Sequence, residues 1–210
     1  CPYFWPLGDR HMLLFFSHTT GPHCLIGRYD RIRHRFAPEQ HVPLAAGPVG
    51  RGGLHAPCAM PDGEGGCFVV FNLKDAYPTL QRQGAMSLMR HFTLGPDGRL
   101  RQRPIRQLES LRLERLYHGR PTLKAFEPWQ APAASRQMEL SIRFDPGRAR
   151  ALSIRVLTAP DGGAYTEILA NWHPHTDGRH LYLTLDATRA SRLPGAVGRC
   201  PETLEVILPA

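Results

Sequence analysis

Met138-Glu139-Leu140-Ser141-Ile142-Arg143-Phe144 and, a few residues on, Leu152-Ser153-Ile154-Arg155-Val156 put an apolar side chain at every second position. Successive side chains of an extended strand point to opposite faces, so a period of two describes strands with one dry face and one wet face. A helical pattern would instead repeat at about 3.6 residues. Leu181, Leu183 and Leu185 alternate with Tyr182 and Thr184 in the same way, and Leu204, Val206 and Leu208 start another such run. Asp145-Pro146, directly after Phe144, reads as a turn. Several strands of this kind make an antiparallel β-sandwich the expected architecture of this half of the chain.

Moving towards the N-terminus, the texture changes but stays extended. His11 to Ser17 and Cys24 to Tyr29 read as two paired strands, Cys67 to Leu73 as a buried strand and Ser87 to Leu94 as the next. Pro61-Asp62-Gly63, Pro96-Asp97-Gly98, Pro160-Asp161-Gly162 and Asp177-Gly178 punctuate the chain with turn formers. One helix is expected. From Pro104, the residues Ile105, Leu108, Leu111 and Leu116 fall near a helical period, with Gln107, Glu109, Arg112 and Glu114 on the other face. The expected organisation is therefore residues 1–103 as one β domain, 104–122 as a linker with a short helix, and 123–210 as a β-sandwich.

Composition narrows the function classes. The chain has 210 residues, 42% of them hydrophobic and 21% charged, which suits a globular protein. No run of about 18 apolar residues marks a transmembrane helix, and no membrane partner is expected. The formal charge is +8, and 24 of the 26 basic residues are arginine, scattered along the chain. Nucleic-acid binding requires basic residues clustered on one face, so it is not expected. Five cysteines form no CxxC pair, and their odd number argues against a disulfide framework. His173, His175 and His180 cluster without a Cys or carboxylate at ligand spacing, so neither metal nor cofactor is expected.

Four strings carry a family resemblance. Cys1-Pro2-Tyr3-Phe4-Trp5-Pro6-Leu7-Gly8-Asp9 is similar to a segment of glycoside hydrolase family 32 that begins Glu-Cys-Pro and runs on to Pro-Leu. Ile26-Gly27-Arg28-Tyr29-Asp30 looks like the family's next hairpin. Gly84-Ala85-Met86-Ser87-Leu88-Met89-Arg90-His91-Phe92-Thr93-Leu94 resembles its Gly-Ala-Met-Ser-Leu-Pro-Arg-Glu-Leu-Thr-Leu. Asp97 to Pro104, with Leu108 to Arg112, is similar to the segment joining its two domains. Order and spacing agree throughout, and the strings cover about half of the chain. The resemblance implies an all-β fold: the C-terminal blades of a five-bladed β-propeller followed by an incomplete β-sandwich. It also implies a retaining hydrolase of β-fructofuranosides such as sucrose, fructo-oligosaccharides or fructans. There one Asp attacks the anomeric carbon, a second Asp stabilises the transition state, and the Glu of Glu-Cys acts as acid and then base. The expected partner is an oligosaccharide with a fructosyl unit.

None of those three carboxylates is in this chain. The acid would stand immediately before Cys1, so the chain is expected to be a piece of a longer enzyme, inactive alone. What it would retain is a rim of the substrate pocket. Cys1 matches the Cys beside the acid; its other reading is a small buried apolar residue. His55, in Leu54-His55-Ala56-Pro57, matches a loop where relatives carry Tyr, and a surface-loop His is the alternative. Asn72, in Phe71-Asn72-Leu73, stands where many relatives place a sugar-stacking Trp; it offers hydrogen bonds in place of a ring face, or serves as a turn residue. Asp75 is the fourth substrate-binding candidate, and Tyr77 follows it on the same expected loop. Two other functions stay open: a non-catalytic carbohydrate-binding protein on the same plan, and a fructosyltransferase in which a sugar replaces water as acceptor.

Overall fold

The structure is a computed structural model that describes residues 2–45, 53–74, 84–172, 180–192 and 201–207. The chain is all-β, and every strand pairing among the described residues is antiparallel. It forms two compact units, Cys1–Leu108 and Glu109–Ala210.

The first unit holds nine strands: β1 (Tyr3–Leu7), β2 (Arg10–Ser17), β3 (Gly21–Asp30), β4 (Arg35–Pro43), β5 (Leu54–Pro61), β6 (Cys67–Lys74), β7 (Gly84–Met86), β8 (Arg90–Leu94) and β9 (Leu100–Pro104). The first four form one up-and-down sheet in chain order. The other five form a second sheet, ordered β5-β6-β8-β9, with β7 also on β6. Period-two alternation gives each sheet an apolar face: Met12 and Leu14 on β2, Cys24 and Ile26 on β3, and Cys67, Val69 and Phe71 on β6 are all fully buried. These residues join Leu7, Ala59 and Phe92 in a single core between the two sheets.

Turn chemistry closes the hairpins. Ser17 Oγ accepts the N–H groups of Thr19 and Thr20, each at 3.2 Å, between β2 and β3. Asp30 Oδ1 accepts those of Ile32 and Arg33, each at 2.9 Å, between β3 and β4. Within the β3–β4 pair the register slips between Ile26 and Gly27, where Gly27 lies against Ala37 and Pro38.

The second unit contributes β10 (Ala151–Val156), β11 (Thr166–Trp172), β12 (His180–Asp186) and β13 (Glu202–Ile207), again in chain order. Tyr165, just ahead of β11, is buried, with the guanidinium of Arg155 4.4 Å from its ring centre.

Three expectations from periodicity need correction. The helix from Pro104 is a single 3₁₀ stretch, Arg106–Leu111, with no buried residue. Pro104 still belongs to β9, and the Ile105 N–H donates to Met89 O at 3.2 Å, so the sheet holds the chain past the point where a helix was to begin. Leu111 and Leu116 are exposed instead of packed inward, and an amphipathic helix this short depends on such packing. Ser87 to Leu94 is not one strand: the backbone leaves the ladder at residues 87–89, where Ser87 Oγ accepts the Phe71 N–H at 3.0 Å and the Ser87 N–H donates to Phe71 O at 2.8 Å. Met138–Phe144 forms no strand pairing among the described residues; Met138, Leu140, Ile142 and Phe144 are 42–50% exposed, although the Phe144 ring stacks on Trp172 at 5.4 Å. The Asp145-Pro146 turn is present, with the Ala149 N–H donating to Pro146 O at 2.8 Å.

Candidate functional site

β5 starts with an irregularity that decides where His55 lies. Leu54 and Pro57 both pack inward, so the residues between them, His55 and Ala56, together oppose one step of β6. This is a β-bulge, and bulges re-aim side chains at the ends of sheets. Ala56 has φ of +38°, a left-handed value for a residue with a Cβ. The residue ahead of a proline is also driven towards extended backbone, which adds to the strain. Strain of this kind costs on the order of 1–3 kcal/mol and persists only where its surroundings enforce it.

The bulge sets His55 directly opposite Asn72 on β6, and Asn72 in turn faces Met86 on β7. The His55 ring centre is 4.2 Å from that of Phe16, the penultimate residue of β2. His18, on the turn after β2, lies 5.7 Å from His55 and edge-on to Phe16 at 5.2 Å. His55, Asn72 and Phe16 are half-buried, and His18 is exposed. The two sheets of the first unit therefore meet at one end in two imidazoles and a phenyl ring, with Asn72 opposite His55 in strand register. Imidazole and amide both donate and accept hydrogen bonds, and the phenyl supplies an apolar face. That is a surface suited to a neutral, hydroxyl-bearing ligand.

Of the four residues expected at the pocket, the structure brings His55 and Asn72 together. Cys1 and Asp75 lie outside the described residues, as do Tyr77, His173 and His175. Two residues on from Cys1, Tyr3 links β1 to β5: a hydrogen bond with the Cys58 side chain holds its phenol above the ordinary value. Phe16 and His18 were not expected here. Their spacing carries no signal, because their partner His55 is in a different sheet.

Two further histidine pairs escaped the sequence. Asp62, read only as a turn former, has a side chain 6% exposed whose Oδ2 accepts from His91 Nε2 at 2.6 Å. Its Oδ1 accepts the N–H groups of Glu64 at 2.7 Å and Gly66 at 2.8 Å. Burial pushes this carboxyl up, but the two N–H groups and the His91 ring outweigh it and hold the carboxyl below the usual carboxylate range. The spacing from Asp62 to Gly66 was the available signal: an Asp followed by glycines that let the backbone curl over it. Elsewhere His23, 8% exposed, has Nε2 2.7 Å from Thr20 Oγ1 and Nδ1 3.0 Å from His41 Nε2. Burial and the neighbouring His41 lower its pKa. Among the described residues no three His, Cys, Asp or Glu side chains gather as a metal ion would need. No helix there is long and apolar enough to cross a membrane.

No family model matches the sequence, and no curated protein matches it. Among solved structures the chain is similar to glycoside hydrolase family 32 from Bifidobacterium adolescentis, with a TM-score of 0.45 and 11% identity over 99% of this chain. The chain spans 37% of that protein's length. Likeness at this level follows the chain path only loosely, so a functional reading has to rest on this chain's own residues.

Proposed function

We propose that this chain is the C-terminal part of a retaining glycoside hydrolase of the family 32 type, acting on β-fructofuranosides, and that it supplies one rim of the glycan pocket. The observation that carries the reading is the pairing of His55 with Asn72. Each was singled out from a separate string, and they stand opposite one another beside a strained bulge. Two consecutive up-and-down antiparallel sheets are also what two successive propeller blades would look like. In this reading His55 and Asn72 hydrogen-bond sugar hydroxyls, Phe16 offers an apolar face, and Cys1 and Asp75 complete the rim. The nucleophile, the stabilising Asp and the acid are supplied from outside this chain, which binds and orients but does not cleave.

The test is titration of the chain with sucrose, raffinose and inulin, following the ring resonances of its histidines, alongside a hydrolysis assay. Saturable shifts at His55 without release of fructose are expected. No shift at His55 with any of the three refutes the site, and enzyme-level turnover by the chain alone refutes the division of labour.

A further inference from the structure

We infer that His18, on the turn between β2 and β3, is a specificity-determining contact of the same pocket, held ready for a hydroxyl-rich ligand. The inference rests on the site reading above and adds a residue that no motif assigned.

Three observations converge on it. First, the ring geometry ties His18 to the site: it sits edge-on to Phe16 at 5.2 Å, and Phe16 packs at 4.2 Å on His55. Phe16 is the shared wall, and the two imidazoles lie 5.7 Å apart beside it. Second, the turn that carries His18 is braced on both sides. Ser17 Oγ accepts two backbone N–H groups and lies 2.9 Å from Thr19 Oγ1. Thr20 Oγ1 is bonded to the buried ring of His23, which is bonded in turn to His41 on β4. A short turn anchored this way costs little further ordering when a ligand arrives, and that preorganisation favours a binding role. Third, His18 is exposed, so its imidazole is open to a ligand arriving from solvent.

Two imidazoles beside one phenyl face, with Asn72 opposite His55 in strand register, suit a ligand that presents several hydroxyls and an apolar patch, as a furanose or pyranose ring does. His55 and Asn72 alone would grip one sugar unit. His18 extends the grip beyond it, so it discriminates between glycans of different length or linkage.

The experiment titrates isotopically labelled chain with sucrose and with raffinose, comparing wild type, His18→Ala and His18→Gln. His18 is exposed, so both variants fold, which a wild-type-like amide spectrum verifies. Expected are shifts at both His18 and His55 in the wild type, and a three- to ten-fold weakening in His18→Ala. Partial recovery in His18→Gln and a changed preference between the two sugars complete the expectation. Shifts at His55 with His18 silent, or unchanged affinity and preference in His18→Ala, overturn this inference and leave the site reading standing. Silence at both histidines overturns the site reading itself.

Discussion

Asp62→Ala tests whether the β5–β6 loop is held by one carboxylate. In the native chain that side chain is 6% exposed and accepts three hydrogen bonds, from Glu64, Gly66 and His91, at 2.6–2.8 Å. A hydrogen bond to a charged group contributes about 1.5–3 kcal/mol. Adding three such terms overshoots, because Glu64 is exposed and His91 is 34% exposed, so both donors regain water once the carboxylate is gone. The Gly66 N–H does not, since Gly66 is buried under the Asp62–His91 pair. The expected loss is therefore about 2–4 kcal/mol. Asp62→Asn keeps one oxygen for the two N–H groups and should lose about 1–2 kcal/mol. The loop also reaches β1, because the Gly8 N–H donates to Gly65 O at 2.7 Å, so loosening should spread to that edge strand. Native-state amide exchange at Val69 and Phe92 reads the stability of the first unit separately from the second. The pH dependence has a definite sign. The folded carboxyl titrates below its unfolded value, near 3.9. Its contribution is thus complete above about pH 4 and disappears as the pH falls through the folded value. Asp62→Asn should remove that part of the acid sensitivity. A loss under about 1 kcal/mol in Asp62→Ala, or an unchanged acid profile in Asp62→Asn, refutes the reasoning.

Gly27→Ala should cost at least about 3 kcal/mol in denaturant unfolding, because backbone cannot step aside for the new methyl group. Its Cβ would lie 2.0 Å from Ala37 O and 2.7 Å from Pro38 Cα. In a thiol-labelling experiment with peptide mapping, Cys58 should react at once, while Cys24 and Cys67 react only on unfolding. Burial, with Cys67 beside Cys24 and Asp62 beside Cys67, pushes their thiols up to about 12 and about 11. Those raised values also mean that stability falls as pH rises above the unfolded thiol value of about 8.5, because the unfolded chain ionises first. Ala56→Gly should stabilise the first unit by up to about 1 kcal/mol in thermal unfolding, since glycine takes positive φ without strain.

Much of the local structure was legible from residue order alone. Period-two alternation identified β10, β12 and the start of β13, and short apolar runs between turn formers identified β2, β3 and β6. Asp97-Gly98 and Asp161-Gly162 are turns with glycine at positive φ, at +70° and +71°. These features depend on neighbours within a few residues, so the sequence displays them directly. Alternation is nevertheless only a capacity for strand. Met138–Phe144 has it in full and joins no sheet among the described residues, because a strand exists through backbone hydrogen bonds to another segment. The site obeys the same limit. His55 and Asn72 could each be singled out, but their opposition depends on the β5–β6 register and a bulge at Ala56. Phe16 and His18 reach His55 only because two sheets share one core. Sequence by itself determined which segments can extend and where the chain turns, since that is short-range stereochemistry. Which side chains meet at the rim was decided by strand register and sheet packing, which act between residues far apart in the chain.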